Sequence, residues 1–384
     1  MNKGINFKKG YRHEIIKLLY QCGIIPYRCL QYIGGPPQMY QRAVKDLEKK
    51  GYVVVDKKGG ERNIRLLNRQ YRKEEYEPYL PAKYIEYYET KMYGPIGKIS
   101  AKDKYSIAAK KIIKDSATQV MMYASGFRIG AEKSELSEKG IEVDQPTYYS
   151  SSEIKGIEGT TKKNQTSRIN GVLASEGGLY PLYNIGNTLI KWERIDEVKM
   201  SSYVNSVVRR KSLPGKIKPA GEKECIVIAM ENMLYSKICN LDYSKKNQKQ
   251  TRLINIDYSY NHVYAVPENR NGIKMLQIMV RENWKEQIYN SLLTDHERES
   301  AQQSGITCDG YREKEKEYIY VFCIPDLVRL KMFIARANLE NDKKRFKIYC
   351  FTHQTSIIHG IIDRNIVTIM QIDMDAYIAK YLPV

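Results

Sequence analysis

The first 73 residues carry an apolar pattern that predicts three helices followed by a two-stranded hairpin. Apolar residues recur at helical spacing in the first segment, and Gly23 is placed to end that helix. Pro26 lies where a second helix begins, which the glycines at 34 and 35 end, and Pro37 opens a third. The β-branched residues 52–56 and the turn at 57–60 then predict the hairpin. This order is the outline of a winged helix-turn-helix.

The same 73 residues hold 17 Lys and Arg against 5 Asp and Glu, a net charge of +12 out of +19 for the chain. Composition drift would spread such charge along the chain, whereas here it is concentrated at one end. A basic module attracts polyanions because binding releases their condensed counterions. Double-stranded DNA is therefore the first partner that the sequence predicts.

The third helix and the hairpin supply the candidate DNA-binding side chains. A helix in the major groove can reach base edges with Arg and Gln, and a hairpin beside it can reach phosphates or the minor groove. We predict Met39, Val44 and Leu47 on or near the apolar face of the third helix. The predicted DNA-binding residues are Gln38, Tyr40, Gln41, Arg42, Lys45, Lys57, Lys58, Arg62 and Arg65. The alternative is a solvated face used only for protein contacts.

Composition excludes several other classes of protein. The chain is 42% hydrophobic and 28% charged, which is typical of globular proteins rather than disordered or fibrous ones. Its seven cysteines are scattered and form no CxxC pair, which indicates reduced core cysteines rather than a zinc site. No signal-peptide pattern and no long apolar run occurs, so we expect a cytoplasmic protein without a membrane partner. We expect no cofactor.

Residues 74–170 are predicted to be a helical and loop-rich connecting region. Apolar residues recur at helical spacing over 103–125, and residues 126–170 are polar and rich in Gly, Ser and Thr. Two strands over 178–184 and 188–192 are then predicted to form a hairpin, which is followed by an acidic cluster and the helical segment 202–210.

The acidic cluster after this hairpin invites comparison with PD-(D/E)xK nucleases. In those enzymes carboxylates hold Mg²⁺ and a lysine orients water or stabilises charge. Glu197 and Lys199 are the weak catalytic candidates, with Asp196 or Glu193 as the neighbouring carboxylate. The Pro-Asp element of that motif is missing, and a helix start stabilised by the helix dipole is the preferred interpretation. Mg²⁺ is expected only under the nuclease alternative, and no other metal is expected.

Residues 171–384 alternate apolar strands with amphipathic helices. The strands at 225–229, 262–267, 318–325, 346–351 and 366–372 each precede or follow a helical segment. This alternation predicts a three-layer α/β domain with a mainly parallel sheet. No dinucleotide, P-loop, HExxH or GxSxG motif is present. We interpret Asp326 as a helix N-cap, His353 as structural and Asp373 as part of a helix start.

The first module resembles replication-relaxation proteins of plasmids and integrative conjugative elements of Gram-positive bacteria. The resemblance rests on residues 11–67, with IIPYRCLQYI at 24–33 and YQRAVKDLEKKGYV at 40–53, followed by a larger α/β half. It implies a DNA-binding role in the replication, transfer or transcriptional control of a mobile element. Some members of that group resemble degenerate nucleases in their second half.

The sequence thus favours a non-enzymatic DNA-binding protein whose α/β half binds a protein partner or a second copy of the chain. A Mg²⁺-dependent nuclease and a winged helix that serves only as a protein-interaction module are the two alternatives. Winged helices occur in many unrelated regulators, so the fold alone does not fix the function.

Overall fold

The computed structural model describes residue 7 and residues 9–58, 61–67, 70–92, 107–133, 145–155, 167–189, 194–211, 223–239, 260–339, 345–362 and 367–382. The chain divides into two compact units, Met1–Ile157 and Glu158–Val384. The first unit therefore includes the amino-terminal module and most of the residues predicted to connect it to the second half.

The described part of the first unit contains six α-helices and four strands. In chain order they are α1 Tyr11–Cys22, β1 Ile24–Pro26, α2 Pro37–Lys49, β2 Val53–Lys58, β3 Glu61–Leu66, α3 Gln70–Tyr76, α4 Ala82–Tyr87, α5 Ile107–Ala124, β4 Thr147–Ser150 and α6 Ser151–Lys155.

Three strands of the first unit form an antiparallel sheet in the order β1-β3-β2. Because Ile25 lies opposite Ile64, and Val53 opposite Leu66, apolar side chains line one face of this sheet. The predicted second helix is shorter and tighter than expected. Residues up to Pro26 pair with β3, and only Tyr27–Gln31 follow as a 3₁₀ helix.

Residues beyond the hairpin pack against the amino-terminal helices. The Ser116 hydroxyl on α5 donates to the Cys22 carbonyl at 3.1 Å, and the Tyr20 hydroxyl donates to Glu77 at 2.6 Å. The predicted loop over 126–170 is wrong at 147–155, where β4 and α6 lie. Tyr148 and Tyr149 of β4 are buried between polar neighbours, and this short apolar pair gives no periodic signal.

The described part of the second unit contains eight α-helices and eight strands. In chain order they are β5 Gly171–Ser175, β6 Gly178–Gly186, α7 Arg194–Lys211, β7 Glu224–Ala229, α8 Met233–Cys239, β8 His262–Pro267, α9 Arg270–Met279, α10 Trp284–Leu292, α11 Asp295–Gln303, β9 Gly310–Arg312, β10 Glu317–Val321, α12 Leu327–Leu339, β11 Phe346–Phe351, α13 Thr355–Ile361, β12 Thr368–Ile372 and α14 Met374–Tyr381.

The predicted hairpin over 178–192 is wrong in its pairing. β6 pairs antiparallel with the preceding strand β5, because the two residues 176 and 177 turn the chain between them, and parallel with β7. Residues 187–189 form no strand, and 190–193 lie outside the described residues.

The strands of the second unit lie in two sheets rather than in the single sheet expected. One has the order β5-β6-β7-β8 and the other β12-β11-β10-β9, and both are parallel except at one edge pair. They meet at β8, where the Ala265 amide donates to the Pro325 carbonyl at 2.8 Å. The residues that follow β10 therefore lie against the edge strand β8, and β10 itself belongs to the other sheet. The chain as a whole has a mixed α/β fold.

The described helices include none with both the length and the apolar character that crossing a lipid bilayer requires. All seven cysteines are free, and all except the half-buried Cys308 are buried, which confirms the expectation of reduced cysteines.

Candidate nucleic-acid interface

Helix α2 has one buried face and one exposed polar face. Its buried residues are Tyr40, Ala43, Val44 and Leu47. Its exposed residues with basic or amide side chains are Gln38, Gln41, Arg42, Lys45 and Lys49. Each set follows the spacing i, i+3, i+4, i+7, so each lies along one face of the helix. The two sets are offset by two residues, so the two faces are on opposite sides. No acidic residue lies in the first turn of α2.

Two residues of α2 lie on other faces than the sequence predicts. Tyr40 is only 1% exposed, and its hydroxyl donates to the Gly34 carbonyl at 2.8 Å and to Glu14, so it is not part of the exposed face. Its apolar ring packs edge-on against Tyr11. Met39, predicted on the apolar face, is 37% exposed and flanks the polar face near the start of the helix.

Contacts at both edges of α2 fix how the helix sits in the module. Arg12 of α1 forms an ion pair with Asp46 at 2.7 Å. On the other side, the Val55 amide of β2 donates to Glu48 at 3.1 Å. These two acidic residues are engaged by the module itself, so the exposed face of α2 keeps a cationic character.

The hairpin carries cations on the same sheet face as its apolar core residues. Lys57 lies directly opposite Arg62 in the β2–β3 register, and both are exposed. The Arg62 guanidinium lies over the Tyr27 ring at 4.2 Å, while Arg28 and Glu61 form an ion pair. The end of the hairpin is therefore tied to the 3₁₀ helix that precedes α2. The Lys58 side chain lies outside the described residues.

Arg65 does not join Lys57 and Arg62. It is three residues from Arg62 along β3, and such residues point to opposite faces of a strand. It is half-buried and donates to Asp56 at 2.7 Å. Of the nine residues predicted from sequence, the structure exposes Gln38, Gln41, Arg42, Lys45, Lys57 and Arg62 together in this module.

The nuclease candidates Glu197 and Lys199 do not form a shared site. Both lie on α7, and residues two apart on a helix point in widely different directions, whereas on a strand they share a face. Glu197 is 0% exposed and Lys199 is exposed. The acidic cluster is the start of a helix, as preferred from the sequence, with Asp196 and Glu197 in its first turn. Glu193 lies outside the described residues.

Hydrogen bonds engage both oxygens of the Glu197 carboxylate. Oε2 accepts from the Ser167 hydroxyl at 2.7 Å and from the Tyr183 hydroxyl at 2.8 Å, and Oε1 accepts from the Arg168 amide at 2.7 Å. Burial, with Tyr260 and Glu197 nearby, raises the pKa of Tyr183 well above its usual value, which keeps this hydroxyl protonated as a donor. This arrangement is that of a buried anchor for α7.

Strand-end residues of the second unit have structural partners. Asp326 accepts from the Val328 amide at 3.0 Å at the start of α12 and binds His262 Nδ1 at 2.5 Å, which confirms the predicted N-cap. Asp373 accepts from the Ala376 amide at 2.7 Å, which confirms the predicted helix start. His353 Nε2 lies 3.3 Å from the Met275 sulfur. Among the described residues, no cluster of three or more His, Cys, Asp or Glu side chains has metal-binding geometry.

Comparison of the chain with protein-family models, with curated proteins and with solved structures gives no match. Functional conclusions therefore rest on the residues and geometry of this chain.

Proposed function

We propose that this protein binds double-stranded DNA through α2 and the β2–β3 hairpin and has no catalytic role in the process. The order α1, β1, 3₁₀ helix, α2, β2, β3 and the sheet order β1-β3-β2 support the assignment of a winged helix-turn-helix. In that fold α2 is the helix that enters the major groove.

The exposed face of α2 is the observation that carries the proposal. Gln38, Gln41, Arg42 and Lys45 project from three successive turns along one side of the helix. Such spacing lets one helix present several side chains to the floor and walls of a major groove. Glutamine amides pair with adenine edges, arginine pairs with guanine, and lysine reaches guanine or phosphate.

The hairpin adds a second, sequence-independent contribution. Lys57 and Arg62 lie opposite each other at its exposed end, where cations favour contact with the sugar-phosphate backbone. A role in a mobile genetic element stays a prediction from the sequence resemblance alone.

Fluorescence anisotropy of a labelled random-sequence duplex, titrated with the full chain, tests the proposal. We expect binding that weakens steeply as salt is raised, and the variant Arg42→Ala/Lys45→Ala should bind at least about tenfold more weakly. The matched control is Lys237→Ala/Lys314→Ala, which removes the same charge from exposed positions on α8 and in the β9–β10 turn. This control should leave the affinity close to that of the wild type.

Equal affinity of all three proteins would contradict the proposal, and so would equal weakening by both double variants. Absence of any salt-sensitive DNA affinity would favour the protein-interaction alternative. Incubation with plasmid DNA and Mg²⁺ should produce no cleavage. Cleavage abolished by Lys199→Ala, at an exposed position where the substitution should not disturb the fold, would instead favour the nuclease alternative.

A further inference from the structure

A cavity of about 470 Å³ lies in the second unit, between α10, α11, the start of α12 and the loop that follows α11. Its size falls in the range of sites that hold small organic molecules. It lies outside the predicted DNA-binding surface, and none of its charged residues belongs to that surface.

One wall of the cavity is an arginine held in place by a buried carboxylate and a half-buried tyrosine. Arg329 donates from Nη2 to Asp309 at 2.5 Å and from Nη1 to the Tyr289 hydroxyl at 2.7 Å. Asp309 is almost fully buried and also accepts from the Val321 amide at 2.7 Å. Burial raises the pKa of the Asp309 carboxyl, although Arg329 opposes this effect. The Arg329 guanidinium therefore has a fixed position and orientation.

A second arginine lies on the facing helix. Arg298 of α11 donates to Asn290 at 2.7 Å and to Glu286 at 2.7 Å, and its guanidinium lies over the Tyr289 ring. Gln302, one turn further along α11, lines the cavity beside it, as does the exposed Thr307. The cavity thus has polar side chains on several sides.

The donor count decides what kind of ligand suits this cavity. Each guanidinium has five N–H groups, of which two bind protein partners in the described part of the chain. Each arginine is paired with one carboxylate, Arg298 with Glu286 outside the lining and Arg329 with Asp309, whose oxygens also accept from Tyr289 and Val321. The remaining guanidinium N–H donors outnumber the acceptors of the lining, and a group with several strong acceptor oxygens complements them.

We propose that this cavity binds a small organic molecule through an oxyanion, either a phosphate or a carboxylate, held between Arg298 and Arg329. The Thr307 hydroxyl and the Gln302 amide contact the remainder of the ligand. The proposal is independent of DNA binding by the first unit.

Isothermal titration of the full chain at physiological salt tests this site with three probes: adenosine monophosphate, inorganic phosphate and citrate. Binding of the two phosphates without citrate would identify a phosphate site, and binding of citrate alone a carboxylate site. Arg298→Gln should weaken binding of the preferred probe at least about tenfold, because it removes a charge-assisted contact. Gln302→Trp, which fills the cavity mouth and keeps both arginines, should also weaken it.

The basic first unit also attracts anions, so Arg42→Ala/Lys45→Ala is the essential control, and it should retain the wild-type affinity for the probe. Binding lost in that variant but kept in Arg298→Gln and Gln302→Trp would overturn the proposal, as would no binding of any probe at millimolar concentration. Failure of DNA binding would not affect either result.

Discussion

Glu197 accepts hydrogen bonds from Ser167, Arg168 and Tyr183 at a position with no solvent exposure, so its removal takes away an acceptor that these donors share. An unpaired buried donor costs about 1–3 kcal/mol. We expect Glu197→Ala to lower the free energy of unfolding by roughly 2–4 kcal/mol, because several hydrogen bonds to a buried carboxylate are lost. Urea unfolding followed by circular dichroism measures this change.

Lys199→Ala is the matched control, because Lys199 is exposed on the same helix. It should change the free energy of unfolding by less than about 0.5 kcal/mol. Equal stability of Glu197→Ala and the wild type would show that the carboxylate is not the anchor described here.

His353 is expected to make stability depend on pH. Burial, and then the nearby Lys274, lowers its pKa to about 4, from a usual value near 6.5. The unfolded chain therefore binds this proton first as the pH falls. The contribution of the neutral, buried His353 to stability is complete above pH 6.5 and is lost between pH 6.5 and 4.

From pH 7 to pH 5, the wild type should lose about 1–2 kcal/mol more stability than His353→Gln, which cannot take up the proton. Urea unfolding at the two pH values measures the difference. The exposed His359→Gln should behave as the wild type does. An identical loss of stability in the wild type and in His353→Gln would contradict the lowered pKa of His353.

At the scale of elements, the turn between β5 and β6 depends on a close backbone approach. The Gly177 amide donates to the Val280 carbonyl at 3.0 Å, at the end of α9. A Cβ atom at this position would lie 2.1 Å from the Met279 carbonyl oxygen and 2.7 Å from that of Arg281. Neither is a flexible side-chain atom, so the backbone itself would have to move.

We expect Gly177→Ala to destabilise the protein by at least about 2 kcal/mol, as overpacking does. In Gly34→Ala, by contrast, the added Cβ meets open space, and stability should change by less than about 1 kcal/mol. Thermal unfolding of both variants provides the comparison. A Gly177→Ala protein as stable as Gly34→Ala would show that the turn accommodates a side chain.

Local signals in the sequence predict α2 well and the segment before it poorly. Pro36 and Pro37 mark the start of α2, and its apolar residues repeat at helical spacing, so its position and, apart from Tyr40 and Met39, its exposed face follow from the sequence. Pro26 instead lies opposite Asn63, 37 positions along the chain, and this strand pairing replaces the first turn of the expected helix. The secondary-structure propensities of single residues do not predict pairing between strands that are distant in the sequence.

The same limit applies to side chains and sheets. Tyr40 was predicted among the DNA-binding residues of the third helix, yet a hydrogen bond from its hydroxyl to the Gly34 carbonyl lets the whole ring be buried. Glu197 and Lys199 fit the acid-x-Lys spacing of the nuclease motif, but both lie on α7, in agreement with the helix start preferred from the sequence. Alternating strands and helices predict an α/β fold but not its division into two sheets.

The distribution of charge over the whole chain should determine how salt affects the proposed DNA binding. Of the net charge of +19, +12 lies in the first 73 residues. Each phosphate contact contributes about 0.9 to the slope of log affinity against log salt concentration. Lys57 and Arg62 form an exposed cross-strand pair at the end of the hairpin, so they are the residues most suited to phosphate contact.

Lys57→Ala/Arg62→Ala should therefore reduce that slope by about 2 and weaken binding to all duplex sequences alike. Anisotropy titrations at several salt concentrations, with two duplexes of unrelated sequence, measure both quantities. Lys237→Ala/Lys314→Ala has the same net charge as Lys57→Ala/Arg62→Ala and should keep the wild-type slope. If both double variants flattened the slope equally, total charge rather than the hairpin would govern binding, and the hairpin would have no specific place in the interface.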